Sequence, residues 1–149
     1  MDMEELRRRG LLLLGCGKMG SAMLEGWLAG GFPAGSVHVI EPDPTDWLAA
    51  QGVRLNGELP SAPGIVLVAV KPQMMGAALP RIAALPGETL ALSVAAGTPI
   101  AAFEAALGAR PVIRAMPNTP AAVGRGITAI VGNAAAADAH MALAEALLE

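Results

Sequence analysis

The stretch Leu11-Leu12-Leu13-Leu14-Gly15-Cys16-Gly17-Lys18-Met19-Gly20 decides the fold of this 149-residue chain. The leucines predict a buried strand, and a helical pattern follows over about residues 18–29. Between them lies G-x-G-x-x-G: one glycine for a tight turn, one for close approach of a diphosphate, and one for packing of helix on strand. The first helical turn offers free N–H groups to phosphate. The stretch predicts a dinucleotide-binding turn, with a ligand-free turn that merely opens a helix as the alternative.

An acidic residue follows the second predicted strand at the spacing of a dinucleotide site. Val37-His38-Val39-Ile40 reads as a buried strand that ends at Glu41, about 20 residues beyond the last glycine of the turn. A carboxylate there accepts hydrogen bonds from the hydroxyls of an adenine ribose. Glu41 is therefore the second element of the predicted site.

The composition favours one domain in which helices of small residues cover a sheet. Apolar residues make up 54% of the chain, charged residues only 15%, and glycine contributes 18 residues, which suits a sheet buried on both faces. Aromatic content of 3% and a net charge of −3 argue against a nucleic-acid partner, which needs clustered cations and stacking rings. The sequence contains no uninterrupted apolar run of about 18 residues, so it predicts no membrane span. A single cysteine indicates a cytoplasmic protein.

Strand and helix patterns alternate along the chain. They predict an α/β fold: a doubly wound, Rossmann-type, mostly parallel sheet flanked by helices, in a single domain over residues 1–149. The strands are predicted at about 11–15, 36–41, 53–55, 65–70, 89–94, 111–116 and 127–131. The later helices are predicted from Asp43 (cap) and Pro44 to about 51, after Lys71-Pro72-Gln73, at 99–107 and at 134–149. Residues 1–10 are expected to form a lead-in in which Arg7-Arg8-Arg9 is solvated.

Four loops that follow predicted strands resemble one known family. They contain Gly15-Cys16-Gly17-Lys18-Met19-Gly20, Val68-Ala69-Val70-Lys71-Pro72, Ser93-Val94-Ala95-Ala96-Gly97-Thr98 and Arg114-Ala115-Met116-Pro117-Asn118-Thr119-Pro120. Parallel sheets bind ligands beyond the carboxyl ends of their strands, so these loops gather on one edge. The last motif is the most specific, because a dinucleotide-binding domain has no general need for it. From about residue 11 to 149, the chain is similar in order and spacing to pyrroline-5-carboxylate reductase.

The resemblance implies the last step of proline synthesis. A hydride passes from NADPH or NADH to the imine carbon of 1-pyrroline-5-carboxylate, a small molecule, and gives L-proline. The protonated imine is already electrophilic, so the protein mainly aligns the reactants and excludes water. No nucleophilic or acid–base catalytic residue and no metal is therefore identified. His38 and His140 are interpreted as ordinary strand or surface residues.

The resemblance also implies which residues contact the ligands. The implied cofactor contacts are Gly15 to Gly20, Glu41, Ala69, Val70, Lys71, Pro72, Ala95, Ala96 and Gly97, with Asn56 near the adenosine. The implied residues of the substrate-side pocket are Arg114, Asn118 and Thr119. Four of these residues have a structural alternative. Lys71 is then a solvated charge, Arg114 forms a salt bridge at the end of its strand, and Asn118 and Thr119 cap the turn before Pro120. The Cys16 side chain is interpreted as a small residue in the turn rather than as a reactive thiol.

The segment after the second strand departs from the family pattern. Many members use NADPH and place hydroxyl or basic residues where the 2′-phosphate lies, whereas this chain has Glu41-Pro42-Asp43. Carboxylates repel a phosphate and Glu41 can bind a ribose diol, so NADH is expected to be tolerated and even preferred. The alternative is that Glu41 turns outward and Thr45 or a backbone nest holds the phosphate.

The length is a second departure, because the family continues with an α-helical dimerisation domain that contributes to the substrate site. The chain is therefore expected to be the cofactor-binding domain of a homo-oligomeric enzyme, and to bind cofactor with little activity alone. Two other functions remain open: a related β-hydroxyacid or imine reductase, and a non-catalytic dinucleotide-binding module. The second would leave Lys71 and the segment from Arg114 to Pro120 unexplained.

Overall fold

A seven-stranded sheet with the order β3-β2-β1-β4-β5-β6-β7 forms the centre of the molecule. The computed structural model describes residues 2–95, 97–117 and 127–148. The strands are β1 (Leu11–Leu14), β2 (Val37–Ile40), β3 (Arg54–Leu55), β4 (Ile65–Val68), β5 (Leu90–Ser93), β6 (Val112–Pro117) and β7 (Ile127–Gly132). Strands β1 to β6 pair in parallel, and β7 runs antiparallel to β6. The predicted Rossmann-type sheet is confirmed, and its strand order reverses between β1 and β4.

Helices cover both faces of this sheet. They are α1 (Met3–Arg9), α2 (Lys18–Ala29), α3 (Asp46–Ala49), α4 (Met75–Ile82), α5 (Ile100–Leu107) and α6 (Asp138–Leu148), with 3₁₀ turns at Ala34–Ser36 and Pro72–Met74. One apolar cluster includes Met23 of α2 and Leu143 of α6, and the other includes Leu79 of α4 and Phe103 of α5. The central strands are thus buried on both sides, which explains their uninterrupted apolar sequences. None of the helices in the described ranges combines the length and apolarity needed to cross a membrane.

The amino-terminal lead-in contains a helix that the sequence patterns did not predict, over residues 3–9. Asp2 caps α1 by accepting a hydrogen bond from the Glu5 N–H at 2.9 Å. Leu6 is fully buried in the core. Arg7 pairs with Glu4 at 3.0 Å, and Arg9 pairs with Glu5 at 3.6 Å. Only Leu6, with the partly buried Met3 one turn before it, packs against the core, and two apolar positions are too few to show a helical period in the sequence.

The short helix α3 begins later than predicted because a different residue caps it. The Thr45 hydroxyl accepts a hydrogen bond from the Leu48 N–H at 3.1 Å. The expected cap, Asp43, instead donates its backbone N–H to the Glu41 carboxylate at 3.0 Å. Pro44 consequently lies before the helix rather than at its first position.

The last helix is also shorter than the predicted 134–149. Asn133 diverts the chain into a turn: its backbone N–H donates to the Val112 carbonyl and its side-chain oxygen accepts from the Val112 N–H. Helix α6 begins only at Asp138. His140, three positions beyond Ala137, accepts the Ala137 N–H at Nδ1 over 2.8 Å, as the third helical residue does in a capping box.

Candidate functional site

The glycine-rich turn is wedged between the carboxyl ends of β2 and β4. The Gly15 N–H donates to the Ile40 carbonyl at 2.9 Å, and the Ala69 N–H donates to the Leu14 carbonyl at 2.9 Å. Gly15 has φ +89°, and a Cβ there would lie 2.7 Å from Val70 Cγ1. Only glycine fits this position, because the backbone is left-handed and the side-chain space is filled.

The other two glycines have different environments. A Cβ on Gly20 would lie 2.7 Å from the Gly15 carbonyl oxygen, so this glycine allows α2 to pack against the turn. A Cβ on Gly17 would meet nothing within 4 Å. Gly17 caps α2 without any side-chain hydrogen bond, which leaves the N–H groups of the first turn for another acceptor. Open space beside those donors is the arrangement that a diphosphate fits.

Glu41 points into the turn rather than away from it. Its Oε1 accepts the Cys16 N–H at 2.7 Å and its Oε2 accepts the Asp43 N–H at 3.0 Å. The side chain stays half-buried, and each carboxylate oxygen has a second lone pair for further donors. The carboxylate is therefore fixed beside the turn while it retains the capacity to bind hydroxyl groups.

Asn56 holds the backbone of Glu41 in place. Its Oδ1 accepts the Glu41 N–H at 2.8 Å, and its Nδ2 donates to the Glu41 carbonyl at 2.9 Å. Asn56 has φ +55° and is the one non-glycine residue of the described chain at positive φ, a conformation that asparagine tolerates better than most residues. Both ends of its amide are engaged, so the geometry favours a positioning role over direct contact with adenosine.

The Cys16 side chain is buried in the core beneath the turn. Its Sγ lies 3.4 Å from the Ser21 hydroxyl, which also donates to the Cys16 carbonyl at 3.1 Å. Burial raises the pKa of the Cys16 thiol, with the nearby Glu41 charge adding to the rise and the Ser21 contact opposing it. This favours the interpretation of Cys16 as a packing residue, because thiolate nucleophiles need a lowered pKa. The contacts of Ser21 with Cys16 were not predicted from the sequence, although a serine in the first turns of a helix often forms a hydrogen bond with nearby backbone.

The remaining predicted cofactor residues follow neighbouring strands on the same edge. Lys71 and Pro72 are exposed beyond β4, Ala95 is buried just after β5, and Gly97 is exposed with φ +79°. Lys18 is exposed and Met19 is half-buried against the core at the start of α2. Ala96, Asn118 and Thr119 lie outside the described residues.

Arg114 lies on β6 beside Ser93 of β5. Paired residues of adjacent strands share a face of the sheet, so Arg114 belongs to the face covered by α5. Its Nε is buried and has no hydrogen-bond partner among the described residues. The salt bridge considered for Arg114 is not found within the described part of the chain. Those same residues also contain no group of three His, Cys, Asp or Glu that could hold a metal ion.

The strand order, the glycine turn at its reversal point and the acid after β2 define a Rossmann-type α/β domain of the dinucleotide-binding class. Comparison with known families agrees. Residues 11–97 match the family described as NADP oxidoreductase, coenzyme F420-dependent, and the chain belongs to that family.

The individual relatives have names that are more specific than the family description. The chain is 36% identical over 146 residues to the pyrroline-5-carboxylate reductase of Pseudomonas aeruginosa, with 93% of this chain and 54% of the relative covered. It is 37% identical over 130 residues to the enzyme of the same name from Escherichia coli, with 81% and 48% covered. The chain thus spans about half the length of the curated relatives it matches.

Solved structures show the same likeness. The pyrroline-5-carboxylate reductase of Coxiella burnetii superposes with a TM-score of 0.83 at 26% identity, covering 94% of this chain and 55% of that one. A Plasmodium falciparum pyrroline carboxylate reductase with NADP bound gives a TM-score of 0.77 at 21% identity, covering 95% and 56%. The second likeness supports the fold.

Proposed function

We propose that this chain is the cofactor-binding domain of a pyrroline-5-carboxylate reductase. The reaction is hydride transfer from NADPH or NADH to the imine carbon of 1-pyrroline-5-carboxylate, which yields L-proline. The relatives from Pseudomonas aeruginosa and Escherichia coli carry that name. The match covers about half of each, which supports a domain that provides one part of the full site.

One observation carries the proposal for the cofactor. The turn from Gly15 to Gly20 opens α2 at the reversal point of the sheet, and no Cβ or side-chain cap fills the space at Gly17. Donors of the first helical turn and the positive end of the helix dipole both favour a diphosphate there. The Glu41 carboxylate, already oriented by the Cys16 and Asp43 N–H groups, would accept the ribose hydroxyls.

The role of the domain in catalysis is orientation. When bound, the reduced nicotinamide supplies the hydride. Ala95 and Gly97 follow β5, and Arg114 is on β6 on the face that Ser93 shares. These residues would line the nicotinamide end of the crevice, two or three strands from the diphosphate. The buried Arg114 Nε, which has no partner among the described residues, supports a contact between Arg114 and the carboxylate of the substrate.

We further propose that NADH is accepted and even preferred. Glu41 turns toward the glycine turn, and this arrangement favours the ribose diol over the outward alternative. A 2′-phosphate would approach a carboxylate that has a fixed position, and the two negative charges would repel each other. A relative of the same fold has NADP bound, so the expected outcome is a shifted preference within one site.

Calorimetric titration of the chain with NADH, and separately with NADPH, tests the cofactor site. Saturable binding with one equivalent of dinucleotide is expected, and Gly17→Asp should abolish it by placing a carboxylate where the diphosphate binds. Gly26→Ala is the matched control, since a Cβ at Gly26 also meets nothing within 4 Å but lies along α2, away from the turn. Absence of heat with both cofactors would contradict the proposal.

Oxidation of NADH or NADPH in the presence of 1-pyrroline-5-carboxylate tests the substrate. We expect cofactor binding with little proline formed by these 149 residues alone, because the resemblance places part of the substrate site in a helical domain. Rapid proline formation by this chain would confirm the substrate. It would also overturn the proposal that the chain provides only one part of the full site. The resemblance carries two further predictions, a homo-oligomer formed through that helical domain and a cytoplasmic location.

A further inference from the structure

A cavity at the amino-terminal edge of the sheet combines several positive side chains. It has a volume of about 180 Å³ and lies where α1 ends and where β1 and β2 begin. Its lining includes Arg8, Arg9, Ser36, His38 and Arg54. Because β1 has four residues, this edge is about 10 Å from the glycine turn on the opposite edge.

Two of the three guanidinium groups lack ionic partners. Arg9 is already paired with Glu5 and Glu88, each at 3.6 Å. Arg8 and Arg54 are exposed and have no carboxylate within 4 Å among the described residues. No acidic residue is among those that line the cavity, although acids outnumber bases in the chain and the net charge is −3.

His38 also lines this cavity, and a hydrogen bond fixes the orientation of its ring. It is one residue into β2, is 8% exposed, and pairs in register with Arg54 of β3. Its Nε2 lies 2.6 Å from the Asn56 carbonyl oxygen. A carbonyl can only accept, so Nε2 carries a proton and Nδ1 remains for a second interaction. The hydrogen bond fixes the ring orientation next to the free guanidinium groups.

We infer that this cavity is a second anion site, and that it binds a phosphate dianion, either free or as a monoester. Two guanidinium groups without partners match two negative charges, and their planar donors suit the oxygens of phosphate. The site is separate from the proposed dinucleotide turn, because it lies at the other ends of the same strands. Arg8 and Arg9 come from the last turn of α1, and Arg54 comes from β3.

Nuclear magnetic resonance of the two histidine rings tests the site. Inorganic phosphate is titrated at constant pH and at an ionic strength held with sodium chloride, and glycerol 3-phosphate is titrated in a second series. His38 ring resonances should shift saturably, while those of His140 on α6 should not. Tighter binding of one ligand identifies it as the preferred source, and saturable binding of either supports the site.

Variants separate this site from the glycine turn. Arg8→Gln combined with Arg54→Gln should raise the dissociation constant measured at His38 by at least about tenfold. The exposed Arg81 of α4 provides the matched control, and Arg81→Gln should leave it unchanged. Failure of His38 to shift, an equal shift with sodium chloride alone, or unaltered binding by the double variant would overturn the proposal. Phosphate bound only at the turn would move the amide resonances of residues 15–20 and leave His38 still.

Discussion

Glu41 and Arg110 show two ways in which this fold holds a charged side chain with backbone groups. The Arg110 guanidinium donates to four carbonyls, those of Leu107, Pro86, Ala83 and Leu85, at 2.9 to 3.4 Å. Arg110 is 4% exposed, and burial lowers the pKa of its guanidinium. The Glu41 carboxylate accepts only two backbone N–H groups and stays half-buried.

The difference separates a structural charge from a functional one. Arg110 joins the ends of α4 and α5 at the amino-terminal edge of the sheet, and four acceptors leave it little capacity for a ligand. Glu41 lies at the carboxyl-terminal edge, and its carboxylate keeps lone pairs available. Arg110 should therefore determine stability, whereas Glu41 should determine which cofactor binds.

Removing the guanidinium should have the largest effect. Arg110→Met should lower the free energy of unfolding by about 3 kcal/mol, because four carbonyls lose their donor and two of these hydrogen bonds are buried. Urea denaturation measures this, and Arg81→Met at an exposed site should change stability by less than about 0.5 kcal/mol. Equal stabilities for the two variants would mean that Arg110 does not hold the helix ends.

The glycines of the turn also separate into one that determines stability, Gly20, and one that determines cofactor binding, Gly17. Gly20→Ala should cost about 2 kcal/mol of stability, since its Cβ would be 2.7 Å from the Gly15 carbonyl oxygen. Gly17→Ala should fold normally and weaken dinucleotide binding by about tenfold, a loss of about 1.4 kcal/mol. Denaturation and calorimetry on both variants distinguish these effects, and a stability loss at Gly17 would contradict the open space beside it.

Neutralising Glu41 tests the other side of the comparison. Glu41→Gln keeps an oxygen for the Cys16 N–H and removes the charge, and Glu41→Ser also removes the bulk. Both should shift the ratio of NADPH to NADH affinity toward NADPH by about tenfold, from the loss of about 1.4 kcal/mol of repulsion. Glu145→Gln, at an exposed position of α6, is the matched control. An unchanged ratio in Glu41→Ser would show that the electrostatic argument is wrong.

A smaller effect is expected at His140, where a neutral ring caps α6. Burial lowers the pKa of His140, so the unfolded chain binds the proton more readily. The contribution to stability should be complete above about pH 6.5 and lost as the pH falls through the folded pKa, by less than about 1 kcal/mol. Denaturation at pH 7.5 and pH 5.5 measures the loss, and His140→Gln, which accepts without titrating, should remove this part of it.

Most of the fold could be predicted because its strands are buried on both faces. Runs such as Ile65–Val68 have no polar alternation, and that pattern together with glycine-punctuated helices indicates a parallel sheet. The direction of β7 was not predictable, because an isolated strand pattern carries no information about its partner. Helix α1 was missed because Leu6 is its only fully buried residue.

The site was predictable in position and less so in detail. The spacing from the glycines to Glu41 depends on the strand–helix–strand geometry, which the sequence displays. The inward direction of the carboxylate depends on the left-handed backbone at Asn56 and on its two hydrogen bonds to Glu41. That arrangement requires β2 and the loop after β3 to be packed together, a tertiary relation that local patterns do not contain.

The indole of Trp27 also has a consequence for the order in which the protein assembles. Its Nε1 donates to the Leu147 carbonyl at 2.9 Å, across 120 residues of sequence, and so joins the helix that follows the glycine turn to the last turn of α6. A ribosome adds about 5–20 residues each second, so this contact becomes possible only about 6–24 s after Trp27 is synthesised. During synthesis, the side of α2 that packs against α6 therefore stays uncovered over that interval, and proteases should cleave a nascent chain at α2 faster than the complete domain.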